Sequence, residues 1–111
     1  MHWIPLEYPE QLQDIKNRSE KRPQLLFKHS TRCSISVMAK SRLDRGPSSD
    51  QIDYYYLDLL QFRPISNQIA ELFQVHHESP QVLLIKNGQC VYEETHNGIT
   101  AEEILEQAGL Q

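Results

Sequence analysis

Leu25-Leu26-Phe27-Lys28-His29-Ser30-Thr31-Arg32-Cys33-Ser34-Ile35-Ser36 opens as an apolar run and closes as a polar one. Three consecutive apolar residues predict a strand covered on both faces, as in a parallel sheet beneath helices. Beyond Cys33, the residues Ile35, Met38, Ala39 and Leu43 fall at roughly helical spacing, predicting a helix that runs to about Asp44. Cys33 then stands at or just before the first turn of a helix that follows a strand. Such a turn leaves backbone N–H groups without intrahelical partners and presents the positive end of the helix dipole. Both favour a thiolate, the form that attacks disulfides. Lys28, His29 and Arg32 add cationic groups nearby in sequence. Ser36 is spaced to offer its hydroxyl to the same sulfur. The plainer alternative is a buried cysteine that only packs, and the stretch alone leaves both open.

Working outward, His2 to Leu6 predicts a short edge strand containing Pro5. Pro9 opens a helix whose apolar side is Leu12 and Ile15, and Pro23 closes the connection to a strand Gln24–Lys28. Gly46-Pro47-Ser48-Ser49 marks a loop. Ile52 to Leu59 reads as a strand in which Tyr54, Tyr55 and Tyr56 alternate sides, pack by their rings and keep their hydroxyls near water. Pro64 starts a helix with Ile65, Ile69, Leu72 and Phe73 on one face. A strand Gln81–Lys86, the hairpin signal Asn87-Gly88 and a return strand Gln89–Glu93 follow. Thr100 and Glu103 have capping-box spacing before a last helix carrying Ile104, Leu105 and Ala108, with Gly109 just past its end.

The predicted order is (β)αβαβαββα. It is an α/β arrangement: a mixed central sheet flanked by helices on both faces, parallel pairs through right-handed crossovers and an antiparallel final hairpin. With 111 residues, the expectation is a single domain over 1–111.

The net charge of −4 offers no dominant basic face for phosphates, which argues against nucleic acid as a partner. The cluster Lys16, Arg18, Lys21 and Arg22 is interrupted by Glu20 and reads as a solvated helix end. No apolar run approaches membrane-spanning length, so no membrane partner is expected. Met1-His2-Trp3-Ile4-Pro5 lacks a basic region followed by an apolar core, so the expectation is a cytoplasmic protein. Two cysteines, Cys33 and Cys90, are too few for a disulfide scaffold or a four-ligand zinc site. The adjacent His76 and His77 point apart on either a strand or a helix, so no metal site is expected.

The element order, the lone cysteine at a strand-to-helix junction and the Ser79-Pro80 step before a strand together resemble the thioredoxin fold. That resemblance implies a cis proline whose loop faces the cysteine. More closely, the segment Phe27 to Ser36, with Ser79-Pro80-Gln81 and Lys86-Asn87-Gly88, resembles the monothiol bacilliredoxins, the YtxJ-like family. Members typically read Cys-Pro-Ile-Ser; this chain has Ser34 where the proline is expected and keeps Cys33, Ile35 and Ser36. The resemblance implies a thiol–disulfide oxidoreductase that takes bacillithiol, a low-molecular-weight thiol, from protein cysteines. Bacillithiol would be a co-substrate rather than a bound cofactor. Client proteins carrying mixed disulfides would be the partners. Catalysis would rest on Cys33 and Ser36, and substrate contacts on Thr31, Arg32, Ser34, Ser79 and Pro80. With serine at position 36, no neighbouring thiol resolves the intermediate.

Cys90 follows the hairpin turn, at the end of the strand remote from Pro80, which argues against a bridge to Cys33. Two other classes compete: a non-catalytic thioredoxin-like interaction module, and an iron–sulfur carrier of the monothiol glutaredoxin kind. The latter uses Cys-Gly-Phe-Ser, from which Ser34-Ile35 departs. A peroxidase would carry a proline seven residues before its cysteine, where this chain has Leu26.

Overall fold

The computed structural model describes residues 1–110. Its elements are β1 (Trp3–Pro5), α1 (Glu10–Arg18), β2 (Gln24–His29), α2 (Ser34–Arg45), β3 (Asp53–Asp58), α3 (Arg63–Phe73), β4 (Gln81–Lys86), β5 (Gln89–Thr95) and α4 (Ala101–Gln107), with a 3₁₀ turn at His96–Gly98. Every predicted element is present, with ends shifted by a residue or two. The largest extension is β5, which runs on to Thr95.

The five strands lie in the order β1-β3-β2-β4-β5. β3 pairs in parallel with both β1 and β2, while β4 is antiparallel to β2 and to β5. β2 is central and every one of its residues is buried. Strand alternation divides the core into two layers. Leu25, Phe27, Tyr54, Val82 and Leu84 face α2 and α4 through Ala39, Leu43, Ala101 and Ile104. Leu26, Tyr55, Leu57, Leu83 and Ile85 face α1 and α3 through Leu12, Ile15, Ile65 and Ile69. Helices therefore cover both faces of the sheet, as predicted.

The punctuation residues act as their chemistry requires. Asn87 and Gly88 both take positive φ, the geometry of a tight hairpin turn. Ser19, buried at the end of α1, fastens that hairpin: its carbonyl accepts from the Asn87 N–H and its Oγ from the Gly88 N–H, each at 2.8 Å. Thr100 caps α4 by accepting from the Glu103 N–H at 3.2 Å, half of the predicted capping box. Glu103 itself turns to Gln107.

Two expectations about side chains are corrected. The α2 stripe was expected to bury Ile35 and Met38, yet these are 43% and 60% exposed. The buried residues are Ser36, Ala39 and Leu43, so the helix is rotated to bring a serine inward. The tyrosine hydroxyls were expected near water, but Tyr54 is buried and its oxygen accepts from the Ser49 N–H at 3.2 Å.

Candidate active site

The site is built at the carboxyl end of β2. His29 is the last residue of that strand, and the chain turns over Ser30, Thr31 and Arg32 before α2 begins. The turn is closed by the Cys33 N–H donating to the Ser30 carbonyl at 3.2 Å. Cys33 is the N-cap residue of α2, in extended geometry, and its carbonyl accepts the helix's first bond, from the Val37 N–H at 3.0 Å. Ser34 is thus the first helical residue, where proline would fit without loss because the N–H there has no intrahelical acceptor. Cys33 is partly exposed and in no disulfide.

Ser36 does not serve the sulfur as expected. Its hydroxyl is buried and lies 2.6 Å from His29 Nδ1, while its oxygen accepts from the Ser30 N–H at 3.0 Å. Burial, with the Lys40 ammonium second, holds His29 below its ordinary pKa. A neutral ring that accepts the Ser36 proton at Nδ1 carries its own hydrogen at Nε2. Ser36 therefore ties the end of β2 to the first turn of α2 and fixes the loop that presents Cys33. The His29 ring is held between Phe27 and Tyr56, at centroid distances of 5.4 and 5.3 Å.

Lys28, expected as a cation near the cysteine, points the other way. It shares strand parity with Leu26 and lies fully buried on the α1/α3 face. Its Nζ stands 3.2 Å from His77 Nδ1, and the Ser66 hydroxyl of α3 is 3.3 Å from the same nitrogen. Burial lowers the Lys28 pKa to about 8 and, with Lys28 beside it, lowers that of His77. In register with Lys28, Gln81 donates to the His76 carbonyl at 3.0 Å and accepts from the Glu78 N–H at 3.4 Å. These two strand positions hold the segment His76–Glu78 from below.

That segment leads into Ser79-Pro80, whose peptide bond is cis. β4 starts at Gln81, opposite Lys28, so the cis loop lies at the same end of the sheet as the turn carrying Cys33. Pro80 is buried, and Ser79 Oγ is buried without a hydrogen-bond partner. Thr31 and Arg32 line a groove of about 390 Å³ with Asp58, the last residue of β3, and Leu60 and Gln61 of the turn that follows it. Ser34 is exposed on the first turn of α2. The structure thus gathers the predicted residues at one end of the sheet, but sets Ser36 beneath the loop rather than on the sulfur.

Cys90 lies at the opposite end. It pairs with Ile85, which pairs with Gln24 at the start of β2. Five residue steps of β2 separate that level from His29, roughly 17 Å, well beyond the ~7 Å Cα separation of a disulfide. Its thiol donates to the Tyr92 carbonyl at 3.3 Å, and burial raises its pKa.

Sequence reasoning missed the Lys28–His77–Ser66 cluster and the contribution of the turn after β3. Strand parity would have turned Lys28 away from Cys33. Nothing local announced its partner 49 residues on.

A βαβαβ core followed by a helix, a β-hairpin and a last helix, with a cis-proline loop at the same end of the sheet as a cysteine at a helix N-cap, defines a thioredoxin-fold protein of the single-cysteine type. The comparisons agree. The chain matches, over 96% of its length and 93% of the other chain, a thioredoxin-fold protein provisionally described as an oxidoreductase, with TM-score 0.81 and 32% identity. Thioredoxin from Malassezia sympodialis superposes with TM-score 0.73 at 12% identity, covering 98% and 89% of the two chains. The short form of spinach chloroplast thioredoxin f gives 0.69 at 14%, covering 96% and 90%. These last two speak to the fold alone. Residues 4–104 match the model of the monothiol bacilliredoxin BrxC family, and the chain belongs to that family of thiol redox proteins.

Proposed function

We propose that the chain removes bacillithiol, or a similar low-molecular-weight thiol, from mixed disulfides on protein cysteines. Cys33 attacks the sulfur of the small thiol. The bond between that sulfur and the protein sulfur breaks, the protein thiolate leaves, and Cys33 carries the small thiol as a new disulfide. A second thiol, supplied from outside, then takes the small thiol from Cys33 and restores it.

The observation that carries this reading is the isolation of Cys33. It is partly exposed at a helix N-cap and at the same end of the sheet as the cis Ser79-Pro80 loop. The residue three positions on is a buried serine, and Cys90 is remote. A dithiol enzyme would release its substrate by closing an internal disulfide; this chain has no thiol in reach to do so. The backbone at Ser79, just before β4 begins, supports a reading in which an extended client segment pairs with it as an added strand. In this reading Thr31, Arg32 and Ser34, close to Cys33 in the chain, contact the substrate. Among the described residues no helix is long and apolar enough to cross a membrane, and the acidic net charge fits a protein-thiol substrate better than a nucleic acid. The proposed place of this work is the cytoplasm.

The test uses a model protein carrying bacillithiol on one cysteine. Cys33→Ser is expected to abolish release of bacillithiol, and Cys90→Ser to retain most of it. Release by Cys33→Ser at the native rate would falsify the assignment.

A further inference from the structure

Of the chain's surface clefts, one stands out for its place in the fold. β2 and β3 are adjacent and parallel, yet the helices that follow them pack on opposite faces of the sheet, α2 on one and α3 on the other. Where successive helices diverge in this way, a crevice opens beyond the carboxyl ends of the strands. In this chain that crevice is the groove of about 390 Å³ between the Cys33 turn and the turn after β3. Its volume suits a small molecule.

Both walls are fixed. The Leu59 N–H donates to the His29 carbonyl at 3.0 Å, tying the two turns together. Asp58 is held by its carbonyl, which accepts from Phe62 at 2.9 Å, and by Oδ1, which accepts from the Leu60 N–H at 3.1 Å. Its other carboxylate oxygen has no partner among the described residues. Arg32, next to Cys33 in the chain, makes no ion pair among the described residues. The lining thus offers an unpaired guanidinium, an anchored carboxylate, the Thr31 hydroxyl and the Gln61 amide. A groove with one group of each sign suits a ligand that carries both signs.

We propose that this groove seats the non-sulfur part of a cysteine-derived thiol bound through Cys33, its carboxylate on Arg32 and its amine on Asp58. The inference rests on the oxidoreductase reading and specifies what the small thiol must carry. Guanidinium and carboxylate match in geometry, whereas a neutral thiol leaves both charged walls unanswered. Arg32 and Asp58 are specificity residues of the exchange rather than participants in it.

The experiment reacts the Cys90→Ser protein with four symmetrical disulfides: cystine, cystamine, dithiodipropionate and hydroxyethyl disulfide. In each case the Cys33 thiolate displaces one half as a free thiolate, and mass spectrometry follows the adduct on Cys33. Rates are read as ratios to hydroxyethyl disulfide, which cancels any change in the nucleophile itself. Arg32→Gln is expected to lower the ratios for dithiodipropionate and cystine about threefold to fivefold, the scale of an exposed ion pair. Asp58→Asn is expected to do the same for cystamine and cystine. Leu60→Trp, which fills the groove without altering charge, is expected to lower the cystine ratio at least as much.

A mirror-image response, with cystamine gaining in Arg32→Gln as much as dithiodipropionate loses, would mean only long-range charge and would overturn the groove. So would a cystine ratio indifferent to Leu60→Trp. If no probe forms an adduct on Cys33, the oxidoreductase reading itself fails, and the groove with it.

Discussion

The Lys28 ammonium and the His77 imidazole meet inside the protein, Nζ to Nδ1 at 3.2 Å, with no carboxylate in ion-pair distance of the lysine among the described residues. Burying a cation against a neutral ring opposes folding, because desolvation is only partly offset by one hydrogen bond. The lowered pKa expresses that cost: the folded state holds the Lys28 proton only up to about pH 8, while the unfolded chain holds it to 10.5. The unfolded state therefore binds more protons between those values, and stability contributed by this site rises with pH across them. Lys28→Met is expected to stabilise the protein by about 2 kcal/mol at pH 7, within the range seen when buried charges are replaced by apolar groups. The gain should shrink toward zero at pH 10.5. Urea unfolding of both proteins at pH 7 and pH 10 checks it. Equal midpoints at pH 7 would mean that the ammonium is better compensated than its contacts indicate.

The contrast between Lys28 and the hairpin shows which parts of this chain are legible in sequence. Asn87-Gly88 specifies its turn locally, because both residues accept positive φ, and the turn lies where the dipeptide puts it. Leu25-Leu26-Phe27 specifies a doubly covered strand for an equally local reason, since consecutive apolar residues must be buried on both sides. The inward face of α2 was not legible. Ile35 and Met38 made the more apolar stripe, but the partner that decides the rotation is His29, whose ring nitrogen needs a hydroxyl. A serine buried for that reason looks like a surface residue until the strand beneath it is in place. The same holds for the groove beside Cys33: Asp58 joins Arg32 only through the pairing of β3 with β2.

Ser36 offers a direct test of the contact that replaced the expected one. Ser36→Ala removes the partner of two buried groups at once, the Ser30 N–H and His29 Nδ1. Leaving a buried polar group unmatched costs about 1–3 kcal/mol, so a loss of about 2 kcal/mol is expected by chemical denaturation. The nitrogen resonances of His29 should change as well, since Nδ1 loses the proton it accepts. A variant as stable as the parent, with an unaltered His29 ring, would show that the serine lies elsewhere in solution.

The two cysteines should separate cleanly in reactivity. Cys90 is packed against the α1/α3 core layer, donates to the Tyr92 carbonyl, and has its thiol pushed up by burial. A protonated, hydrogen-bonded thiol is a poor nucleophile. With one equivalent of iodoacetamide at pH 7, peptide mass spectrometry is expected to find the label on Cys33, with less than about a tenth of it on Cys90, a tenfold rate ratio corresponding to about 1.4 kcal/mol. Comparable labelling of both would remove the argument that only one sulfur is available for exchange.

Acid should weaken the fold in a window set by two histidines rather than by carboxylates. His29 and His77 both have pKa values lowered chiefly by burial. Below pH 6.5 the unfolded chain takes up protons on these rings before the folded protein does. The unfolded state then binds more protons, so stability falls as pH falls from 6.5, at up to about 1.4 kcal/mol per pH unit for each ring. Between pH 7.5 and 5.5 the expected loss is on the order of 1–2 kcal/mol, read as a drop in the urea midpoint. His29→Gln removes one of the two rings and should flatten the dependence by roughly half, even though the glutamine lowers stability at every pH by spoiling the bond to Ser36. The slope, not the height, carries the argument. A variant that keeps the full slope would mean that His29 is as readily protonated in the folded protein as in the unfolded chain, and that the ring under the Cys33 loop is not held neutral.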